Sequence, residues 1–252
     1  MQIIELLWPA FVLAIALVFI HTLFGIEIIK RGVIFTDLAI GQVAATGMAV
    51  SIAFMDGEYQ SAMTLLFAVI GAVIITWATK RVEKIEAFIG LLYALGISSI
   101  MLILARSAEG TELFSKLSAA DILFTSSADL YKDLAIYGFV AFVMFVIYPR
   151  VQGVKKEFLF FLMLAITVTA SVQSAGVLVV FALLIAPSYA GITQKRYSAF
   201  SFATLFGSIG VLVALYFSYN YDLPTGYTII FTVVSASLLS VVVLSMRVVT
   251  KR

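Results

Sequence analysis

The sequence predicts an all-α polytopic membrane protein with about eight or nine transmembrane helices. Of its 252 residues, 63% are hydrophobic and 12% are charged, and the mean hydropathy is +1.12. An ordinary soluble domain is about half apolar and about one-quarter charged. Apolar runs of about twenty residues recur along the chain, which is the length that a helix needs to cross a hydrocarbon core of about 30 Å. Because no run alternates polar and apolar residues as barrel strands do, helices are the only spanning structure left.

Nine apolar segments are candidate spans. In chain order they cover residues 7–28, 34–55, 61–79, 88–105, 133–149, 158–173, 175–192, 199–218 and 227–246. We interpret the first as a span rather than a secretion signal, because Glu5 stands where a signal peptide carries basic residues. We expect all of them to belong to a single transmembrane domain, residues 1–252.

Basic residues cluster between alternate pairs of spans. The clusters are Lys30/Arg31, Lys80/Arg81/Lys84, Arg150/Lys155/Lys156, Lys195/Arg196 and Arg247/Lys251/Arg252. By the positive-inside rule these clusters face the cytoplasm, which places the N-terminus outside and the C-terminus inside. The same rule divides the apolar stretch 158–192. Because the clusters on either side of it share a membrane face, we predict two helices of about 17 residues that meet near 173–176.

Few ionisable side chains lie within the spans, where they are energetically expensive and often functional. Asp37 lies about one turn into the second span, and Gly41 and Ala45 share its helical face at four-residue spacing. Such small residues let another backbone approach closely. We therefore predict for Asp37 either a place on a transport path or a structural hydrogen-bonding role.

His21 is the only histidine of the chain and lies in the first span. Its alternatives are a pathway role or a neutral imidazole that bonds an adjacent helix. A lone histidine without cysteine cannot build a typical zinc site, which has about four nitrogen or sulfur ligands. We name Asp37 and His21 as candidate metal-pathway residues.

One connection between spans has the features of a docking surface. Residues 182–200 carry Pro187 and Gly191 toward the end of a span, followed by Lys195, Arg196 and Tyr197. Proline and glycine here favour a bend and then a short helix. The exposed cations would then meet a cytoplasmic partner. The alternative is that the proline and glycine only end one span before the next span begins.

Missing motifs disfavour several classes of protein. The chain has no cysteine, which removes disulfides and thiolate metal sites. It has no GxxxxGK[ST] phosphate loop, so we expect no ATP hydrolysis by that route and no enzymatic activity. A net charge of +2 gives no indication of nucleic-acid binding.

The polar segment 107–132 predicts a short surface helix, because Leu113, Leu117, Ala120 and Phe124 recur at helical spacing.

Four segments, taken in order, resemble one family. They are GVIFTDLAIGQVAATG (32–47), LLYALGISSIMLIL (91–104), VTASVQSAGVLVVFALLIAPSYAGI (168–192) and DLPTGYTII (222–230). Together they are similar to the membrane permeases of the metal-ion ABC importers, which take up zinc, manganese and iron. The similarity runs in the family's order over nearly the whole chain.

The resemblance implies a permease of vitamin-B12-importer-like (type II) architecture in the bacterial plasma membrane. It implies three protein partners: a cytoplasmic ABC ATPase subunit that binds the ATP, an extracytoplasmic metal-binding protein, and a second permease copy, with a homodimer expected. It implies no cofactor in this chain, only a transported metal ion. The segment 182–200 then corresponds to the region that couples the permease to the ATPase, through Pro187, Gly191, Lys195, Arg196 and Tyr197.

The second span departs from the family pattern. Many members have an aspartate followed four residues later by a histidine, whereas here Asp37 is followed by Gly41 and then Gln42. A branch of the family has glutamine at that place and a histidine in the first span, as His21 is here. The metal site therefore does not carry over intact, and manganese or iron would be served at least as well as zinc by oxygen ligands.

Two other classes stay open at this point. One is an ion-coupled secondary transporter in which Asp37 and His21 relay protons, although the chain lacks the internal symmetry that is common in such carriers. The other is a structural subunit of a membrane respiratory complex, which only the hydrophobicity supports.

Overall fold

All regular structure within the described residues is helical. The computed structural model describes residues 2–105 and 122–249. The helices are α1 Gln2–Arg31, α2 Thr36–Phe54, α3 Gln60–Arg81, α4 Ile85–Leu104, α5 Ser127–Phe142, α6 Gly153–Ala175, α7 Val177–Thr193, α8 Ala199–Tyr221 and α9 Thr225–Val249. A short 3₁₀ turn, Ile122–Phe124, precedes α5, and α5 continues through a π-helical turn, Val143–Ile147, and a 3₁₀ turn, Tyr148–Arg150. The all-α prediction is confirmed.

Eight helices of the described part are long and apolar enough to cross a membrane, and α7, with 17 residues, is a shorter apolar helix. This agrees with the prediction of about eight or nine spans. The predicted division near residues 173–176 is also confirmed, because α6 ends at Ala175 and Gly176 has a φ of 84°. Glycine adopts this left-handed region without the Cβ clash that other residues meet.

The predicted length of α6 is wrong. It has 23 residues rather than about 17, because it begins at Gly153 and includes the polar run Lys155, Lys156 and Glu157. A helix can continue out of the hydrocarbon layer because charged side chains reach water from its first turns.

Helix α5 also begins earlier than the predicted residue 133. A reciprocal cap explains its start: the Ser126 hydroxyl donates to Asp129 Oδ2 at 2.6 Å, and the Asp129 backbone N–H donates to Ser126 Oγ at 3.1 Å. Ser126 Oγ thus satisfies one backbone donor that the first turn leaves free, and the Asp129 carboxylate holds the hydroxyl in place. The surface helix predicted in 107–132 falls largely outside the described residues.

The chain divides into two compact units. Unit 1 comprises Met1–Gly32, Asp121–Leu134 and Leu178–Arg252, and unit 2 comprises Val33–Ala120 and Ala135–Val177. In unit 1, α8 packs against both α1 and α9. In unit 2, α2 packs against α3, α4 and α6. The assignment of the whole chain to one domain stays a prediction.

Candidate transport-path and coupling residues

Asp37 is buried in the first turn of the central helix of unit 2. Its side chain is 1% exposed. The backbone N–H groups of Asp37 itself and of Leu38 lie near the carboxylate, and neither makes a well-formed hydrogen bond to its oxygens. The first-turn position is favourable for a negative charge, because the N-terminal end of a helix carries a partial positive charge. A second carboxylate fixes the entry to α2, since Glu86 Oε1 accepts from the Ile34 backbone N–H at 2.6 Å.

The small residues of α2 allow close helix packing inside unit 2. A Cβ added at Gly47 would lie 2.4 Å from the Met63 carbonyl oxygen of α3, and one added at Gly41 would lie 2.6 Å from Val177 Cγ2. A Cβ at Gly96 of α4 would lie 2.8 Å from Gln42 Cβ. The predicted small-residue surface of α2 is therefore in contact with the unit's own helices, and Gly41, on the same face as Asp37, is part of that contact.

His21 is buried in unit 1. It is fully buried, and its Nδ1 lies 2.8 Å from the Leu17 carbonyl oxygen of the preceding turn. Since a carbonyl only accepts, this contact places the ring proton on Nδ1. Nε2, the atom free to act as an acceptor or ligand, has no hydrogen-bond partner, and neither has the neighbouring Thr22 hydroxyl.

Among the described residues, no group of three or more His, Cys, Asp or Glu side chains is placed to hold a metal ion. Asp37 and His21 belong to different units of the chain. Their proposed place on a metal path therefore stays a prediction, and each is a single buried polar group with unpaired atoms. Such groups are costly in an apolar environment, which is a reason to test both for function.

The coupling segment differs from its prediction in one respect. Pro187 and Gly191 lie inside α7, which continues to Thr193, and no separate short helix follows before α8 begins at Ala199. The Pro187 ring packs against the neighbouring helix: a Cβ at Gly207 of α8 would lie 2.9 Å from Pro187 Cγ. Both Pro187 and Gly191 are buried, whereas Lys195, Arg196 and Tyr197 are exposed.

The side chain of Gln194 organises the turn that carries these three exposed residues. Its Nε2 donates to the carbonyl oxygens of Gly191 at 3.1 Å and of Tyr197 at 2.8 Å. Its Oε1 accepts from the backbone N–H groups of Arg196 at 3.0 Å and of Tyr197 at 2.9 Å. Only this amide orientation matches donors to acceptors. Gln194 is 8% exposed, so one buried amide holds the whole turn 194–197.

Close packing of α7 against α8 supports the same turn. A Cβ at Gly191 would lie 2.5 Å from the Ala199 carbonyl oxygen and 2.8 Å from Ala203 Cβ. The guanidinium of Arg196 also lies 5.4 Å from the centre of the Tyr197 ring, a distance suited to a cation–π contact. The turn that carries the exposed Lys195, Arg196 and Tyr197 is therefore held in place by close packing of α7 against α8.

Sequence reasoning missed Gln194 and the small-residue stripe of α8. The stripe consists of Ala203, Gly207, Gly210 and Ala214, all buried. Its spacing of four, three and four residues is a recognisable sign of a close helix contact. Gln194 gave a weaker sign, a lone amide between an apolar helix and a cationic tripeptide.

A bundle of apolar helices with isolated buried polar groups and a rigid, cationic turn between two of the helices is the architecture of a multi-pass membrane permease. The chain belongs to the ABC 3 transport family, which it matches over residues 3–244. The predicted family resemblance is thereby confirmed.

Relatives in this family are manganese permeases by name. The manganese transport system membrane protein MntC of Halalkalibacterium halodurans is 26% identical over 225 residues, which are 82% of this chain and 76% of that protein. The manganese import system permease protein ScaB of Streptococcus parasanguinis is 21% identical over 250 residues, 92% of this chain and 88% of that protein. PsaBC from Streptococcus pneumoniae, solved in complex with Fab, matches with a TM-score of 0.75 and 20% identity over 93% of this chain and 90% of that chain. An inward-facing conformation of a putative metal-chelate type ABC transporter matches with a TM-score of 0.69 and 14% identity over 95% of this chain and 85% of that chain, which confirms the ABC permease fold.

Proposed function

We propose that this chain is the membrane-spanning subunit of an ABC importer for a divalent transition metal, with manganese as the substrate. The observation that carries the proposal is the family match over residues 3–244, together with relatives that are named for manganese transport. Membership of an ABC transport family favours this class over the secondary carrier and over the respiratory subunit. The chain has no cysteine, and the oxygen and imidazole ligands that it can offer suit manganese at least as well as zinc.

The proposed transport cycle depends on partner proteins. A cytoplasmic ATPase subunit binds and hydrolyses ATP, an extracytoplasmic protein delivers the metal, and two permease copies pair around the path. The exposed turn with Lys195, Arg196 and Tyr197 transmits the ATPase movement to α7 and α8. Nucleotide can shift the permease only if the ATPase binds one permease state more tightly than the other.

The basic clusters support the proposed orientation. They lie at Lys30/Arg31, Lys80/Arg81 and Lys195/Arg196, and positive loops favour the cytoplasmic side. The N-terminus is then outside, the C-terminus is cytoplasmic, and the turn after α7 faces the ATPase.

Asp37 and His21 are the proposed polar groups of the metal path. A carboxylate offers manganese a hard oxygen ligand, and the free Nε2 of His21 offers an imidazole ligand. Both groups are buried in the state described. We therefore infer that a metal ion contacts them only in a conformation, or at an interface between copies, that opens these faces.

Whole-cell manganese, iron and zinc content under chelator stress tests the substrate. In a strain that lacks the gene, we expect manganese to fall and the normal chain to restore it. Asp37→Asn, which keeps the shape of the side chain and removes its charge, should restore less than about one-tenth of the manganese uptake, the loss of about 1.4 kcal/mol of barrier stabilisation. Asp222→Asn is the matched control, because Asp222 is exposed and asparagine tolerates its positive φ of 50°.

One result would contradict the metal assignment, and another would contradict only the role proposed for Asp37. Unchanged content of all three metals on deletion, with the gene expressed, would remove the metal assignment. Full restoration by Asp37→Asn, with manganese still dependent on the normal gene, would leave the substrate standing and assign Asp37 a structural role.

A further inference from the structure

The ends of α3 and α6 in unit 2 form a groove of about 330 Å³. Its lining residues are Val73, Thr76, Trp77, Lys80, Arg81, Val154 and Phe158. The α3 residues are spaced by three, one, three and one, so they share one helical face. The groove's size falls within the range of about 300–1,000 Å³ that is usual for ligand sites.

The lining changes character along the groove. Val73, Trp77 and Val154 are exposed apolar side chains, at 48%, 57% and 58% of their full surface. Lys80 and Arg81 then close one end, and neither forms an ion pair within the described residues. The groove is therefore an apolar channel with two unpaired positive charges at its mouth.

The depth of these groups fits the layers of a bilayer. Tryptophan is enriched at the level where lipid headgroups meet the hydrocarbon. With a rise of about 1.5 Å per residue, Arg81 lies about 6 Å beyond Trp77 along α3, and Val73 lies about 6 Å on the other side. With Trp77 placed at this boundary, the cations would stand at the phosphate level and the apolar end would reach into the acyl region.

The start of α6 adds to the positive potential at this mouth. Val154, in its first turn, lines the groove, and Gln152 makes no side-chain cap. The first backbone N–H groups of a helix are unpaired within the helix and favour an anion. The nearest carboxylates along the chain, Glu83 and Glu157, are not among the lining residues.

We propose that this groove is a binding site for an anionic phospholipid, whose phosphate pairs with Lys80 and Arg81 and whose acyl chain lies along Val73, Trp77 and Phe158. Basic pockets between transmembrane helices are suited to anionic lipid headgroups. A second copy of the chain is disfavoured as the occupant, because a two-fold contact centred on this groove would bring the same cations together. A soluble ATPase is disfavoured because it could reach the cations but not Val73, about 12 Å deeper along the helix.

Lipid retention by the full chain tests the site. The purified protein in detergent is incubated with equal amounts of phosphatidylglycerol and phosphatidylcholine, and the bound lipid is counted by native mass spectrometry. We expect the normal chain to bind phosphatidylglycerol at least fivefold over phosphatidylcholine. Lys80→Gln with Arg81→Gln should reduce this ratio to near one, and Val154→Trp, which fills the groove, should reduce the binding of both lipids.

The matched control is Lys155→Gln with Lys156→Gln. It removes two charges next to the groove but none from its lining, and it should keep the fivefold preference. An equal loss of preference in this control would overturn the site and indicate general surface attraction. A normal chain without preference would overturn it also, and a change in the ratio of monomer to dimer instead of bound lipid would assign the groove to a second copy.

The lipid-retention test remains possible if the double variant does not fold. If the double variant is not recovered in folded form, the single change Arg81→Gln at an exposed position is measured in the same way, with at least a twofold fall in the ratio expected. The lipid measurement does not depend on which metal is transported, so its failure and a failure of the proposed manganese transport are separate results.

Discussion

Replacement of Gln194 by alanine should release the turn between α7 and α8. The change removes four hydrogen bonds, two given by Nε2 and two received by Oε1. With a net value of about 0.5–1 kcal/mol for each bond, the turn loses roughly 2–4 kcal/mol of stability against local opening. Because about 1.4 kcal/mol corresponds to a factor of ten, the population of the open turn rises roughly 30- to 700-fold.

Hydrogen exchange measures this opening directly. Amide protons exchange through local opening, so protection reports its free energy. In Gln194→Ala we expect the amides of Arg196 and Tyr197 to lose protection by roughly 30- to 700-fold, while the interiors of α7 and α8 keep theirs. Gln194→Glu should give an intermediate loss, because a carboxylate can still accept from both N–H groups but repels the two carbonyl oxygens.

Gln152→Ala is the control for this experiment. Gln152 is likewise a loop glutamine that precedes a helix, but it is exposed and its side chain makes no cap, so its removal should change nothing in the turn 194–197. Unchanged protection of Arg196 and Tyr197 in Gln194→Ala would refute the reasoning. If the turn also couples the permease to its ATPase as proposed, the same variant should lower metal uptake without lowering the amount of chain in the membrane.

Two further predictions concern the packing of unit 2. Gly47→Val should lower the thermal unfolding midpoint by several degrees, because a Cβ there would lie 2.4 Å from the Met63 carbonyl oxygen and overpacking costs about 1–3 kcal/mol. Gly90→Val has no atom within 4 Å of the added Cβ and should leave the midpoint nearly unchanged, so an equal fall in both would contradict the packing argument. In a double-mutant cycle, the buried contact of 2.9 Å between Tyr137 Oη and Ser171 Oγ should give a coupling of about 0.6 kcal/mol, and a coupling of zero would show that the bond contributes nothing.

The number and order of the spans could be predicted because hydropathy is a local sum. Each segment's transfer into lipid depends mainly on its own residues, so all nine described helices correspond to predicted segments. The boundary at Gly176 could also be predicted from the sequence, because the basic clusters on both sides of residues 158–192 required an even number of membrane crossings. Helix ends at polar residues could not be predicted, since Lys155 and Lys156 could belong either to a loop or to a helix that extends beyond the lipid.

The candidate site could be predicted only in part from the sequence. Asp37 and His21 stand out as ionisable residues in apolar spans, and the cationic tripeptide Lys195 to Tyr197 stands out between two spans. The contacts that surround these residues cannot be recognised in the sequence. Gln194 is valuable because its amide reaches four backbone groups of one turn, and sequence spacing does not show that a turn will fold back in this way.

The sequence by itself determined that the protein is a helical membrane permease, with its spans and the positions of its few polar groups. Only the tertiary structure decided which faces are buried. Lipid tails and helix interiors are about equally apolar, so hydropathy cannot separate a face that meets lipid from one that meets a neighbouring helix. The burial of Asp37, the packing of Gly47 against α3 and the groove between α3 and α6 all depend on which helices pair, and that pairing is set by shape across distant parts of the chain.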